Sequence, residues 1–255
     1  MKDLIIENSN FYIRFVLFLT FLGHGFVSLG FSPSYSLHYN LLEGINFSDI
    51  ETAQLLKAQA FLDIIIAFLL LLNFKIRFLI NFILTYLTLI CITALVFYWR
   101  QTGSIFGIAE CLRRFPWILF SLFIISDLKE KPKYHYIRIG LSFAFIAHGF
   151  ASLGFLGLNQ GHIDLATNII SSENARQFIT YTGITDTVIG LMLLQSIYTR
   201  WLSLVGIIWI SFIVYLSYLT AIPDAIFRTG FLIAAVYVFF DNRTYSPKLI
   251  TYEKN

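Results

Sequence analysis

Long apolar runs separated by short polar breaks make up most of this chain. A helix of about 20 apolar residues spans a lipid bilayer. Eight runs of roughly this length predict helices at 11–31, 55–73, 77–99, 104–126, 136–158, 176–197, 201–220 and 224–241. The breaks at 73–75 and 198–200 are so short that they predict tight turns between neighbouring helices. The pattern therefore predicts an all-α integral membrane protein with eight transmembrane helices.

The composition supports a lipid environment. Of the 255 residues, 57% are hydrophobic and only 13% are charged, whereas soluble domains carry about 25% charged residues. The net charge is +3, and no cluster of Lys and Arg resembles a nucleic-acid footprint. We therefore expect the lipid bilayer to be the main partner and expect no nucleic acid.

The distribution of basic residues predicts the orientation. With the N-terminus inside, most Lys and Arg residues fall in the inner segments, while the outer loops are acidic. Cytoplasmic loops carry an excess of Lys and Arg. We expect both termini to be cytoplasmic.

The chain repeats itself. The pattern HGFxSLGF occurs at 24–31 and at 148–155, and each copy follows a YIR triplet at the same spacing. Matched polar residues follow in later spans: Asp63 with Asp186, Glu110 with Asp224, and Arg114 with Arg228. This predicts two four-helix units, residues 1–130 and 131–255. Each unit has an even number of spans, so the two bundles form a parallel repeat with the same orientation.

Ionisable groups inside the predicted spans are the first candidates for function, because burying them in a membrane is costly. His24 and His148 occur at matched positions, and so do Asp63 and Asp186. A histidine here could carry a proton or contact a ligand, and the aspartates could accept a proton or bind a ligand. The alternatives are a histidine that fixes helix packing and a structural ion pair with an arginine.

The fourth and eighth spans carry further charged residues. Glu110, Arg113 and Arg114 precede Pro116, which should kink the helix. Asp224 and Arg228 lie four residues apart and can pair on one helix face. Together with the histidines these groups predict a polar cavity open toward the outer face. The alternative is that they lie in the headgroup zone, with Asp224 and Arg228 as an interfacial ion pair.

The outer loops and the cysteines add less. Loops 32–54 and 159–175 contain His38, Tyr39 and His162 and are expected to form short amphipathic segments over the cavity. Cys91 and Cys111 lie in the outer half of adjacent spans and could approach each other, as inert thiols or as a redox pair. No short histidine spacing indicates a metal site, so we expect no metal.

Each half resembles the DoxX/DoxD-like family of small bacterial membrane proteins. The resemblance rests on the opening arginine, the HGFxSLGF segment, the acidic residue in the second span and the arginine in the fourth. It implies a bacterial inner (plasma) membrane and a link with membrane redox assemblies such as thiosulfate:quinone oxidoreductase, with a quinone as ligand and a membrane redox or assembly protein as partner. It carries over no catalytic residue.

Two functions remain open from the sequence. The first is a membrane subunit for quinone-linked redox chemistry, in which a histidine and a carboxylate exchange the protons of the quinone. The second is a non-enzymatic protein, either a small-solute or proton-coupled transporter or a scaffold. If only one half has a working site, we expect it to be the first, which alone has Pro116, the double arginine and both cysteines.

Overall fold

The fold is known from a computed structural model, which describes residues 7–32, 34–35, 39, 42, 47–98, 106–127, 130–155, 160–167, 170–196 and 198–241. Within these residues the chain forms α-helices and no strand. The helices are α1 (Ser9–Ser28), α2 (Asp49–Leu71), α3 (Ile76–Thr93), α4 (Phe106–Ile125), α5 (Glu130–Ser152), α6 (Gln160–Thr167), α7 (Ser172–Leu194), α8 (Thr199–Thr220) and α9 (Ile222–Phe240). A π-helical segment, Ala94–Tyr98, continues α3.

Six of the described helices are long and apolar enough to cross a membrane, namely α1, α2, α3, α7, α8 and α9. The other two long helices contain more polar residues. Helix α4 carries Glu110, Arg113 and Arg114, and α5 carries Arg138 and His148. The all-α, multi-helix membrane architecture predicted from the sequence is thus supported, while the count of eight spans remains a prediction.

Helices α1 and α5 end with the same C-terminal capping motif, and both end earlier than the apolar pattern predicts. Each stops two residues before a glycine with positive φ, +89° at Gly30 and +78° at Gly154. The amide N–H of the following residue, Phe31 or Phe155, then donates to the carbonyl five residues earlier, at 3.2 and 3.1 Å. This is a Schellman ending, which favours glycine because it has no Cβ. Hydropathy alone could not place these two ends.

Helix α2 begins at Asp49, six residues before the predicted start at 55. The Ser48 side chain accepts a hydrogen bond from the Glu51 amide, and the Glu51 carboxylate accepts one from the Ser48 amide at 2.9 Å. This capping box satisfies amide groups that a helix start leaves without partners. The polar first turn is therefore helical, although its composition is that of a loop.

The tight turn predicted at 73–75 lies between α2 and α3. The one predicted at 198–200 lies earlier, between Leu194 and Thr199, because α8 begins at Thr199. The first contains Asn73 and Lys75 at φ +55° and +39°. The second contains Ser196 and Tyr198 at φ +62° and +45°. Non-glycine residues rarely adopt positive φ, yet the two turns use it at positions with the same spacing along the chain. The repeat noted in the sequence thus extends to backbone conformation at the turns.

Helix packing joins the two halves of the chain. Helix α1 packs mainly between α2 and α9, and α5 packs mainly between α4 and α7. All eight long helices contribute side chains to one hydrophobic core, including Ile13, Ile66, Trp117, Ile137 and Ala234. The last helix of each half therefore lies against the first helix of the other. The division into units 1–130 and 131–255 remains a prediction from the repeat.

Close helix packing around Gly149 gives a prediction for stability. A Cβ at Gly149 would lie 2.8 Å from the carbonyl oxygen of Gly183 and 2.8 Å from the amide nitrogen of Thr187. Both atoms belong to the α7 backbone and cannot turn aside. We expect Gly149→Ala to lower the free energy of unfolding by about 1–3 kcal/mol, as overpacking typically does.

Denaturing-detergent titration of the purified protein measures this change, with Gly206→Ala as the matched control. A Cβ at Gly206 would meet only the Phe145 ring, at 3.3 Å, so the control should unfold close to wild type. Equal stability of the two variants would contradict the close α5–α7 approach.

Candidate functional site

The first buried pair joins α1 to α2. Nδ1 of His24 lies 2.7 Å from Oδ2 of Asp63, and the two side chains are 11% and 1% exposed. The other carboxylate oxygen, Oδ1, accepts a hydrogen bond from the Tyr86 hydroxyl of α3 at 3.1 Å. A buried carboxylate needs such partners for both oxygens. The sequence candidates His24 and Asp63 are therefore in direct contact, and Tyr86 is a second partner of Asp63.

A cluster of aromatic rings lies beside His24. The His24 ring meets the Trp117 ring of α4 edge-on, with centroids 5.2 Å apart. Trp117 also packs against Phe21 at 5.0 Å and against Phe227 of α9 at 5.8 Å. A Cβ at Gly23 would lie 2.6 Å from the Phe227 amide nitrogen, so α1 and α9 approach closely here. We call His24, Asp63 and Tyr86 the closed pair site.

The second pair joins α5 to α7 in the same way. Nδ1 of His148 lies 2.5 Å from Oδ2 of Asp186, and Oδ1 accepts a hydrogen bond from the Trp209 indole N–H of α8 at 2.7 Å. The Asp186 side chain is 2% exposed, but the His148 side chain is 33% exposed. No described residue hydrogen-bonds Nε2 of His148. We call His148, Asp186 and Trp209 the open pair site.

Tyr86 and Trp209 are members of these sites that the sequence analysis did not single out. Each follows its aspartate by 23 positions, so the two match at the spacing already found for Asp63 and Asp186. They differ in residue type, but each supplies one hydrogen-bond donor to Oδ1 of its aspartate. Comparing hydrogen-bond donors instead of identical residues across the repeat would have found them.

Helix α6 lies over the open pair site and brings a second histidine to it. The His162 ring lies 4.5 Å from the His148 ring, with the planes tilted by 41°. The Ser152 hydroxyl and Nδ1 of His162 are 3.1 Å apart. Burial lowers the pKa of His162 well below its usual range, and the charges of His148, Arg113 and Arg228 lower it further. Segment 159–175 thus contains a short helix that reaches His148, whereas His38 of loop 32–54 lies outside the described residues.

Asp224 and Arg228 belong to a hydrogen-bonded cluster at the start of α9. Nη1 of Arg228 lies 3.5 Å from Oδ1 of Asp224 and donates to the Ser217 hydroxyl at 2.7 Å. Asp224 also accepts hydrogen bonds from Ser32 and, at 2.8 Å, from Ser34. The cluster ties the segment after α1 to α9. The ion pair considered from the sequence is present, and Asp224 is buried.

The two arginines of α4 act on different sites. Arg114 is buried and lies close enough to Tyr86 for its charge to act on that side chain. Arg113 acts instead on His162. Pro116 lies inside α4, as expected, and the Glu110 side chain lies outside the described part of the structure. Helix α4 therefore contributes charge to both pair sites.

The cysteines approach each other without forming a disulfide. The Cys111 thiol donates to the Cys91 carbonyl oxygen at 3.2 Å, and both residues are half-buried. The π-helical segment begins three residues after Cys91, so this contact adds a hydrogen bond where the helix changes geometry. Among the described residues no group of three His, Cys, Asp or Glu side chains could hold a metal ion.

Comparison with protein-family models, with curated proteins and with solved structures gave no match for this chain.

Proposed function

We propose that this chain is a DoxX/DoxD-like membrane protein whose open pair site binds the head group of a quinone and exchanges protons with it. In this proposal it has eight transmembrane helices in two parallel four-helix units, and both termini are cytoplasmic. Its location is a bacterial inner membrane. Electrons would pass between the quinone and a membrane redox protein that binds this chain.

The observation that carries the proposal is the orientation of His148. Its Nδ1 is held by Asp186 at 2.5 Å, and Trp209 holds the other oxygen of the same carboxylate. A carboxylate on one ring nitrogen fixes the tautomer, so the unprotonated Nε2 faces away from Asp186. One third of this side chain is exposed. His148 therefore presents a proton acceptor at an accessible surface.

This arrangement suits proton exchange with a hydroquinone. Nε2 of neutral His148 can accept a hydrogen bond from a hydroxyl group of the ligand and then take its proton. The negative charge of Asp186 stabilises the imidazolium that results. In the reverse direction the imidazolium donates to a quinone oxygen. Exchange with water then resets the histidine.

The closed pair site is less suited to a ligand. Its histidine side chain is 11% exposed, and the Trp117 ring, itself packed against Phe227, lies beside it. We therefore place the working site in the second half of the chain, although the sequence favoured the first. The closed pair site is assigned a structural role.

A binding experiment tests the proposal. The protein is purified with native lipids, the extract is analysed for quinones, and the quinone-depleted protein is titrated calorimetrically with short-tail benzoquinones and naphthoquinones. We expect a quinone in the extract and saturable binding of at least one probe. The absence of both would reject quinone binding.

Proton-coupled transport of a small solute is the second candidate, because two buried His–Asp pairs lie within one core. Two titratable sites at matched places on a parallel repeat could be used in turn. Reconstituted vesicles with an internal pH dye test this directly. Solute-dependent proton flux that His24→Gln and His148→Gln both abolish would favour transport over quinone binding.

A further inference from the structure

We infer that helix α6 is a plug over the open pair site, released when His162 takes up a proton. The inference rests on the proposed function only in treating His148 as the group to be uncovered, and it requires no particular ligand. It concerns how access to the site is regulated.

The contacts of His162 locate α6 relative to His148. Its ring lies over one face of the His148 ring, with the centroids 4.5 Å apart. Its Nδ1 is within hydrogen-bond distance of the Ser152 hydroxyl, one helical turn beyond His148 on α5. A ligand that approaches His148 from this side meets the His162 ring first. Access to this face of the His148 ring therefore requires α6 to move, while the exposed third of the side chain stays open to solvent.

The surroundings of His162 do not favour an added proton. Arg113 of α4 and Arg228 of α9 act on it with positive charge, and His148 of α5 does the same whenever it carries a proton. On α7, the carboxylate of Asp186 is already bonded on both oxygens, by His148 and Trp209. On α6 itself, the side chain of Asp164 lies outside the described residues. Ser152 is neutral, so it offers no charge to pair with an imidazolium.

The direction of the pH effect follows from these contacts. We call α6 docked when it packs over His148, as it does in this structure. Docking lowers the pKa of His162, so His162 binds a proton more tightly in the undocked helix than in the docked one. Docking is therefore favoured at neutral and alkaline pH and weakens as the pH falls below about 6.5, the usual histidine value. Because one proton is involved, the opening constant rises up to tenfold per pH unit until the docked pKa is reached.

Amide hydrogen exchange of wild-type protein in micelles tests the inference without any ligand. Protection within Gln160–Thr167, corrected for intrinsic exchange rates, should fall about tenfold between pH 7.5 and 5.5. The transmembrane helices should keep their protection. A flat pH profile for this segment would overturn the plug.

Two further measurements assign the effect to His162. In His162→Gln, which keeps polar atoms able to bond Ser152 but does not titrate, protection should no longer depend on pH. An acid-dependent loss that persists in this variant overturns the inference. Ring ¹⁵N shifts of wild-type His162 give a reading that needs no variant. The His162 ring should become protonated over the same pH interval in which α6 loses protection. A ring that stays neutral throughout overturns the inference, even if α6 of the Gln variant no longer packs over His148.

These experiments separate the plug from quinone binding. A protein that binds no quinone can still show acid-released protection of α6, and a quinone-binding protein can show none. Failure of one proposal therefore leaves the other standing.

Discussion

Asp63→Ala is expected to lower the free energy of unfolding by about 3–5 kcal/mol, the range for removing one partner of a buried ionic or hydrogen-bonded pair. The change leaves Nδ1 of His24 and the hydroxyl of Tyr86 without their shared acceptor. Aromatic rings beside His24 limit the access of water to these groups. Titration with a denaturing detergent, followed by circular dichroism, measures the loss.

The repeat supplies a matched control in Asp186→Ala. There the partner histidine is one third exposed, so water can replace the lost hydrogen bond. We expect a smaller loss of stability than for Asp63→Ala. Asp63→Asn, which keeps the size and one acceptor, should also be milder. A loss at Asp186 that equals or exceeds the loss at Asp63 would contradict the distinction between closed and open pair sites.

His148→Ala is expected to weaken the binding of a short-tail quinol by about tenfold or more. Hydrogen bonds to charged or ionisable partners contribute about 1.5–3 kcal/mol, and each 1.4 kcal/mol is a factor of about ten in affinity. The variant removes the imidazole ring with its Nε2 and leaves Asp186 and Trp209 in place. Calorimetric titration at pH 7.5 gives the affinity.

Asp186→Asn and His24→Gln complete this comparison. The asparagine keeps the shape of Asp186 but removes the charge that stabilises a protonated His148, so the affinity for quinol should fall in the same direction. His24→Gln lies in the closed pair site and should leave the affinity within about threefold, well under the effect of a charge-assisted hydrogen bond. An equal loss in the two histidine variants would mean that the effect is general destabilisation.

Much of the helical framework could be predicted from the sequence, because a long apolar run in lipid can hydrogen-bond its own backbone groups only as a helix. Their positions within the predicted spans put His24 and Asp63 at similar depth in the membrane, and the structure places their side chains in contact. Helix ends were predicted less well. Capping at Ser48 and the glycine ending after α1 are set by individual hydrogen bonds, which hydropathy does not report.

The difference between the two pair sites could not be predicted, because it depends on which helices meet across the repeat. The last helix of each half packs against the first helix of the other, so Phe227 lies near His24 and Arg113 acts near His148. Along the sequence, the double arginine is a feature of the first half. In the folded protein, Arg113 acts on His162, which belongs to the second half.

The most direct test of the accessible His148 compares its rate of modification by diethyl pyrocarbonate with that of His24, in one sample, by mass spectrometry of the peptides. Side-chain exposures of 33% and 11% predict that His148 reacts faster and that a bound quinone slows its modification. Equal rates at the two histidines, or a rate at His148 that no quinone changes, would contradict a ligand-binding open pair site.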